Sequence, residues 1–227
     1  MRLYLAQVVM QGRESETAPI KNYKNLSYQF YPLDDARYLA FNNHNIFCVT
    51  GANSGLWVKS RTSSKDDSHF VTLNGAPIPE SKSSVELSDK FIFLGLGMAG
   101  ASILSIDDYK IVGQIPQNEH TDLSKDVTVT NSVSAGLGEV YTADGEAGSR
   151  VFEIDEQGQL EELASVRFGP GISVNAVKKY KEYIVYATGL GGIKIAHLYR
   201  ADLEKRNQEF IHYRRPIMDC CQFLKII

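Results

Sequence analysis

Long apolar runs are missing from this chain. No stretch approaches the roughly 20 apolar residues that a membrane-spanning helix needs. The first residues, MRLYLAQVVMQG, interrupt a strand-length apolar run with charge and polarity, so they do not read as a signal peptide. An excess of one charge is missing too: 24 Lys and Arg stand against 27 Asp and Glu in 227 residues, a formal charge of −3. Proteins dedicated to nucleic acid are usually basic, so this balance argues against that class. Cysteine is scarce. Cys48 lies in an apolar, β-branched run and Cys220 and Cys221 are adjacent. An odd count without CxxC spacing gives neither a disulfide framework nor a zinc site. The histidines, His44, His69, His120, His197 and His212, are scattered, with no HExxH or HxH among them. No metal and no cofactor is expected. A sustained apolar period of 3.6 residues is also absent. The best helical candidate, Ala201–Gln208, is short and polar and reads as a loop or a single turn.

What is present is an internal repeat. Four segments share one form: an apolar run ending in glycine, two or three residues, a second glycine, then another apolar run. They are NIFCVTGANSGLWVKS (45–60), FIFLGLGMAGASILSID (91–107), EVYTADGEAGSRVFEID (139–155) and YIVYATGLGGIKIAHL (183–198). The leading glycines, Gly51, Gly97, Gly145 and Gly189, are 46, 48 and 44 residues apart. A short β-rich run precedes each hairpin (YLAFNN, SVELSD, SVSAGLG, SVNAVKKY) and another follows it (HFVTLNG, YKIVGQIP, LEELASVRFG, QEFIHYRR). Four strands in about 45 residues is the size of one propeller blade.

The two ends complement each other. IMDCCQFLKII at the C-terminus resembles the first strand of a blade, RLYLAQVVM at the N-terminus the second, and LSYQFYP (26–32) would complete it. The expected fold is therefore all-β: one domain over residues 1–227, a β-propeller of five four-stranded blades, closed by pairing of N- and C-terminal strands in one blade. Such closure removes exposed strand edges.

Segments such as YIVYATGLGGIKI and EVYTADGEAGSRVFEID resemble the repeats of LVIVD-type β-propeller proteins. The resemblance covers Tyr38 to Leu198 and implies fold rather than chemistry. It also implies an exported, extracytoplasmic bacterial protein, although this chain shows neither a signal nor a lipobox cysteine. It offers no catalytic residues to carry over.

The glycine hairpins are not phosphate loops. A phosphate loop opens a helix whose N-terminal N–H groups hold the anion, and here each hairpin runs into a strand. The glycines are expected to supply positive φ. Lys178-Lys179-Tyr180-Lys181 reads as a solvated turn.

A propeller places the loops entering its innermost strands, and the hairpins between second and third strands, at one end. Alignment on the leading glycines makes Arg37, Ser83, Asn131 and Asn175 equivalent. Asp34, Arg37, Asn131, Asn175 and Asp219 are the candidate binding residues of that channel mouth. The asparagines offer both donors and acceptors, which suits hydroxyl-rich or peptide-like ligands, and Arg37 could clamp a carboxylate. The leading functional expectation is a non-enzymatic binding or interaction module for a carbohydrate or a peptide. A small glycan-acting hydrolase using acids of the same loops, and a structural protein-interaction platform, are the alternatives.

Overall fold

The computed structural model describes residues 3–7, 27–31, 33, 35–51, 55–63, 67–73, 82–136 and 138–197. Nearly all regular structure in these residues is β. Two single turns of 3-10 helix, Lys125–Val127 and Gly189–Gly191, are the exceptions among them.

The strands form successive antiparallel sheets. A terminal pair joins β1 (Leu3–Gln7) to β2 (Ser27–Tyr31). The first sheet holds β3 (Ala36–Phe41), β4 (Asn45–Thr50), β5 (Gly55–Ser60) and β6 (His69–Thr72). The second holds β7 (Ser84–Leu87), β8 (Phe91–Gly95), β9 (Ala101–Ser105) and β10 (Ile111–Ile115). The third holds β11 (Ser132–Gly136), β12 (Glu139–Ala143), β13 (Ser149–Ile154) and β14 (Leu160–Val166). The fourth holds β15 (Ala176–Tyr180), β16 (Tyr183–Ala187) and β17 (Ile193–His197). Within each sheet the strands stand side by side in chain order. The expected fourth strand of the last repeat, the C-terminal strand of the closing sheet and the helical candidate Ala201–Gln208 lie outside the described residues.

The middle strands explain why their sequences read as unbroken apolar runs. β4 buries Phe47, Cys48 and Val49 in succession, and β8 buries Ile92, Phe93 and Leu94. Adjacent strand residues point to opposite faces, so consecutive burial means that both faces are covered. Each fully buried large side chain of this kind contributes about 1.5–3 kcal/mol. The outer strand β14, LEELASV, is mostly exposed and carries acids along its edge, which discourages pairing with other chains.

Consecutive sheets share cores. Phe47, Val49, Leu56 and Val58 of the first sheet pack with Val85, Ile92, Leu94 and Leu104 of the second. Phe93, Ala101 and Ile103 of the second meet Val133, Val140 and Phe152 of the third. Tyr141 and Ala143 of the third meet Val177, Ile184 and Tyr186 of the fourth. The other face of the first sheet, with Ala36, Cys48 and Trp57, packs on Tyr31 of the terminal pair, and the Tyr31 and Trp57 rings stand 4.9 Å apart.

The first strands β3, β7, β11 and β15 lie against one another in that order. Serine hydroxyls stitch them. Ser84 Oγ accepts from Val133 N at 3.0 Å, Ser132 Oγ from Val177 N at 3.1 Å and Ser134 Oγ from Lys179 N at 3.1 Å. Each bond satisfies an N–H that faces a neighbouring sheet rather than its own ladder.

Candidate functional site

The hairpins between second and third strands fix one end of the molecule. In three of them the turn is the same. Gly97, Gly145 and Gly189 have φ of 63°, 61° and 58°, and the following Gly100, Gly148 and Gly192 have 75°, 93° and 75°. Leu96, Asp144 and Thr188 each donate N–H to the second glycine carbonyl at 2.8 Å. L-residues with side chains rarely adopt this backbone, so the glycines are there for their missing Cβ. Gly97 and Gly145 also bridge to the next sheet, exchanging backbone bonds with Thr130 and Val174. Gly51 serves differently. Its φ is not left-handed, but a Cβ there would fall 2.0 Å from Arg37 Nε and 2.1 Å from Asp35 Oδ2. Its bare backbone admits that pair.

Side-by-side packing of the first strands carries Arg37, Ser83, Asn131 and Asn175 to this same end, as the glycine alignment requires. Their local roles differ. Arg37 is folded back on Asp35, with Nε and Nη2 at 2.9 and 2.7 Å from Oδ2. Its side chain is only 12% exposed. Asn131 is buried and already engaged. Its Nδ2 donates to Val174 O at 3.2 Å and its Oδ1 accepts from Lys82 N at 3.4 Å, so one amide ties the third sheet to the loops entering its two neighbours. Asn175 is half-buried. Its Oδ1 accepts from Ser173 Oγ at 3.4 Å, while its Nδ2 has no hydrogen-bond partner among the described residues. Asp34 and Asp219 lie outside the described residues.

Two groups escaped the sequence reading. Asp144, fully buried just before the third hairpin, accepts four side-chain bonds. Thr130 Oγ1 and Thr142 Oγ1 donate at 2.7 Å, Arg150 Nε at 2.8 Å and Asn118 Nδ2 at 3.4 Å. Arg150 Nη2 continues to Pro116 O at 2.8 Å, and its guanidinium lies 5.4 Å from the Phe152 ring centre. This network anchors the long segment between the second and third sheets onto the hairpin. The available signal was the spacing of an acid and an arginine on facing arms of one short turn. The second group is the pair of Lys178 and Glu86 on the first strands of the fourth and second sheets. The basic run expected as a turn is mostly strand: Lys178, Lys179 and Tyr180 lie in β15 and Lys181 alone follows it, with Lys178 paired to Glu86 and Lys179 Nζ donating to the carbonyl of Lys181.

Burial pushes the Cys48 thiol up to about 11, which leaves it a protonated core side chain at neutral pH. Arg167 beside Asp122, at 2.8 Å, holds that exposed carboxyl below its usual range. Among the described residues no cluster of His, Cys, Asp and Glu could hold a metal ion, and no helix is long and apolar enough to cross a membrane. A cleft of about 350 Å³ at the hairpin end is lined by Glu119, His120, Thr121, Leu123, Lys125 and Thr128. It lies on the long segment rather than among Arg37, Asn131 and Asn175.

No protein-family model matches the chain, and neither does any curated protein. Solved structures do resemble it. The computationally designed Ika4 protein is 12% identical, with a TM-score of 0.53 over 82% of this chain and 99% of that one. A candidate 6-phosphogluconolactonase from Bacteroides uniformis is 15% identical, with a TM-score of 0.55 over 74% of this chain and 55% of that one. A chain of a mitotic checkpoint complex is 12% identical, with a TM-score of 0.55 over 71% of this chain and 50% of that one. The present chain thus spans about half the length of the last two. At these identities the likeness is one of fold, and the folds concerned include propeller-like ones.

Proposed function

We propose that this chain is a five-bladed, LVIVD-like β-propeller acting as a non-enzymatic binding module, with a hydroxyl-rich or peptide-like ligand held at the hairpin end. One observation carries the reading. Four first strands packed side by side bring the residues that precede each hairpin glycine by the same interval to one end, where Asn175 Nδ2 is an amide donor with no described hydrogen-bond partner. Arg37 and Asp35 form the charged rim, and Asn131 holds the sheets at the spacing the site needs. Asp34 and Asp219 complete the mouth in this reading, with the C-terminal strand closing the ring beside β1.

Two of the described acids at that end are already committed to structural partners. Asp35 is engaged by Arg37, and Asp144 by Arg150, two threonines and Asn118. Glycoside hydrolysis needs one acid free to protonate the leaving oxygen and a second facing it across the bond. Neither acid is placed for that.

The test is a screen of glycans and short peptides against the intact chain, followed by Asn175→Ala. Loss of a hydrogen bond to a neutral ligand costs about 0.5–1.5 kcal/mol, so affinity should fall by about 2-fold to 13-fold. A ligand whose affinity is unchanged by this substitution binds somewhere else.

A further inference from the structure

The third hairpin carries a segment of its own chain. Val127, four residues before Asn131, lays its carbonyl oxygen against the turn and accepts the Glu146 N–H at 2.7 Å. A Cβ on Gly145 would fall 2.1 Å from that oxygen, so only the bare glycine admits it. The turn thus receives a main-chain carbonyl from one side.

The fourth hairpin repeats the turn without that carbonyl. Counted from the leading glycine, Gly189 stands for Gly145, Leu190 for Glu146, Asn175 for Asn131 and Gly171 for Val127. Gly171 ends a short Gly-Pro-Gly loop, and no hydrogen bond joins it to the turn. The Leu190 N–H has no hydrogen-bond partner among the described residues. Where a Cβ on Gly145 would meet Val127 O, a Cβ on Gly189 would meet Asn175 Nδ2, at 3.0 Å. Two amide donors therefore flank the position that a carbonyl fills in the third sheet. Apolar groups adjoin it. The Leu190 side chain is fully exposed, and Ile172 Cγ2 lies 2.9 Å from the place of a Cβ on Gly191.

We propose that the ligand of the hairpin end is an extended peptide, held at the fourth hairpin by one main-chain carbonyl that accepts from Leu190 N–H and Asn175 Nδ2. The inference rests on the binding function proposed above and narrows its ligand to one class. The donor set selects a carbonyl. Asn175 Oδ1 already accepts from Ser173 Oγ, so the position offers two donors and no acceptor. A carbonyl oxygen accepts two bonds and donates none, whereas a sugar hydroxyl also has a proton to place. Leu190 and Ile172 give an apolar side chain of the peptide a surface to pack on. The mode of binding has its template in the same molecule, where Val127 meets the third hairpin through its main chain.

The intact chain, panned against a random peptide display library and against a glycan array, tests this. Peptides should be enriched and glycans should not. In the tightest peptide each main-chain amide is then replaced in turn by an ester, whose carbonyl is a weaker acceptor. Affinity should fall about 2-fold to 13-fold at one position. That loss should vanish in Leu190→Pro, which lacks the receiving N–H. Asn175→Asp, which turns the donor into an acceptor, should weaken the peptide about tenfold or more. If Leu190→Pro does not fold, the ester series on the unaltered chain decides alone. Enrichment of glycans only, or an ester series without a sensitive position, overturns the proposal. A glycan that Asn175→Ala weakens would leave the binding function standing and this inference fallen. A peptide indifferent to Asn175→Ala, or no ligand from either screen, would remove both.

Discussion

Lys178 Nζ lies 2.5 Å from Glu86 Oε1, joining the first strand of the fourth sheet to that of the second past the strand between them. β7 and β15 both flank β11, so a direct contact of their side chains requires the first strands to curve around a shared axis. The energetic contribution of the pair is small. Lys178 is 61% exposed and Glu86 24%, and such pairs are worth about 0–1 kcal/mol. Its value is as a geometric marker: the two side chains meet from the middle of their strands, across β11.

The Asp144–Arg150 pair is the opposite case. Its side chains are 0% and 6% exposed, and removing one partner strands the other charge away from water. Asp144→Ala should therefore destabilise the protein by about 3–5 kcal/mol in chemical denaturation. Replacing both, as Asp144→Leu with Arg150→Met, should recover a substantial part of that loss. A single substitution costing under about 1 kcal/mol would mean that the network is not formed in solution.

The hairpin glycines make a graded prediction. At Gly145 a Cβ would meet Val127 O at 2.1 Å, in a backbone with φ of 61°. Gly169 has φ of 114° with nothing within 4 Å of its Cβ position. Gly145→Ala should thus cost more than Gly169→Ala, which carries backbone strain alone, about 1–3 kcal/mol. Equal thermal shifts for the two would show that the close approach to Val127 is absent.

Cys48 provides a pH test. Its thiol is raised from an ordinary 9.0 to about 11 by burial, so folding favours the protonated form. The associated stability is complete below the unfolded value and is lost as pH rises through about 11. Cys48→Ala lacks this loss. It should melt below the wild type at pH 8, through the cavity it leaves, and the gap should narrow between pH 9 and 11. A gap constant over that range would place Cys48 in contact with solvent. Tyr186 and Tyr109, whose phenols burial also raises, are present in both proteins and leave the difference unaffected.

Much of the fold was legible because the repeat carries it. Glycines at nearly constant spacing, each between apolar runs, located the hairpins, and three of the four turns have the positive φ that glycine was expected to supply. The first hairpin departs because Gly51 answers to the side chains of Arg37 and Asp35, which no local pattern announces. The sequence places candidate residues at one end without giving their partners. Alignment on the glycines puts Asn131 at the hairpin end, where its amide is consumed by Lys82 and Val174, partners 49 and 43 residues away. Asp144 was passed over for the same reason. An acid beside a glycine turn reads as solvated until Thr130, Arg150 and Asn118 are brought around it from three separate segments.

The most direct test of the binding account is an amide-shift map of the isotopically labelled intact chain, titrated with hits from the glycan and peptide screen. The account predicts saturable shifts that cluster at Arg37, Ser83, Asn131 and Asn175, and that are lost in Asn175→Ala. Saturable shifts confined to the outer strands β6, β10 and β14, with the hairpin end silent, would contradict it.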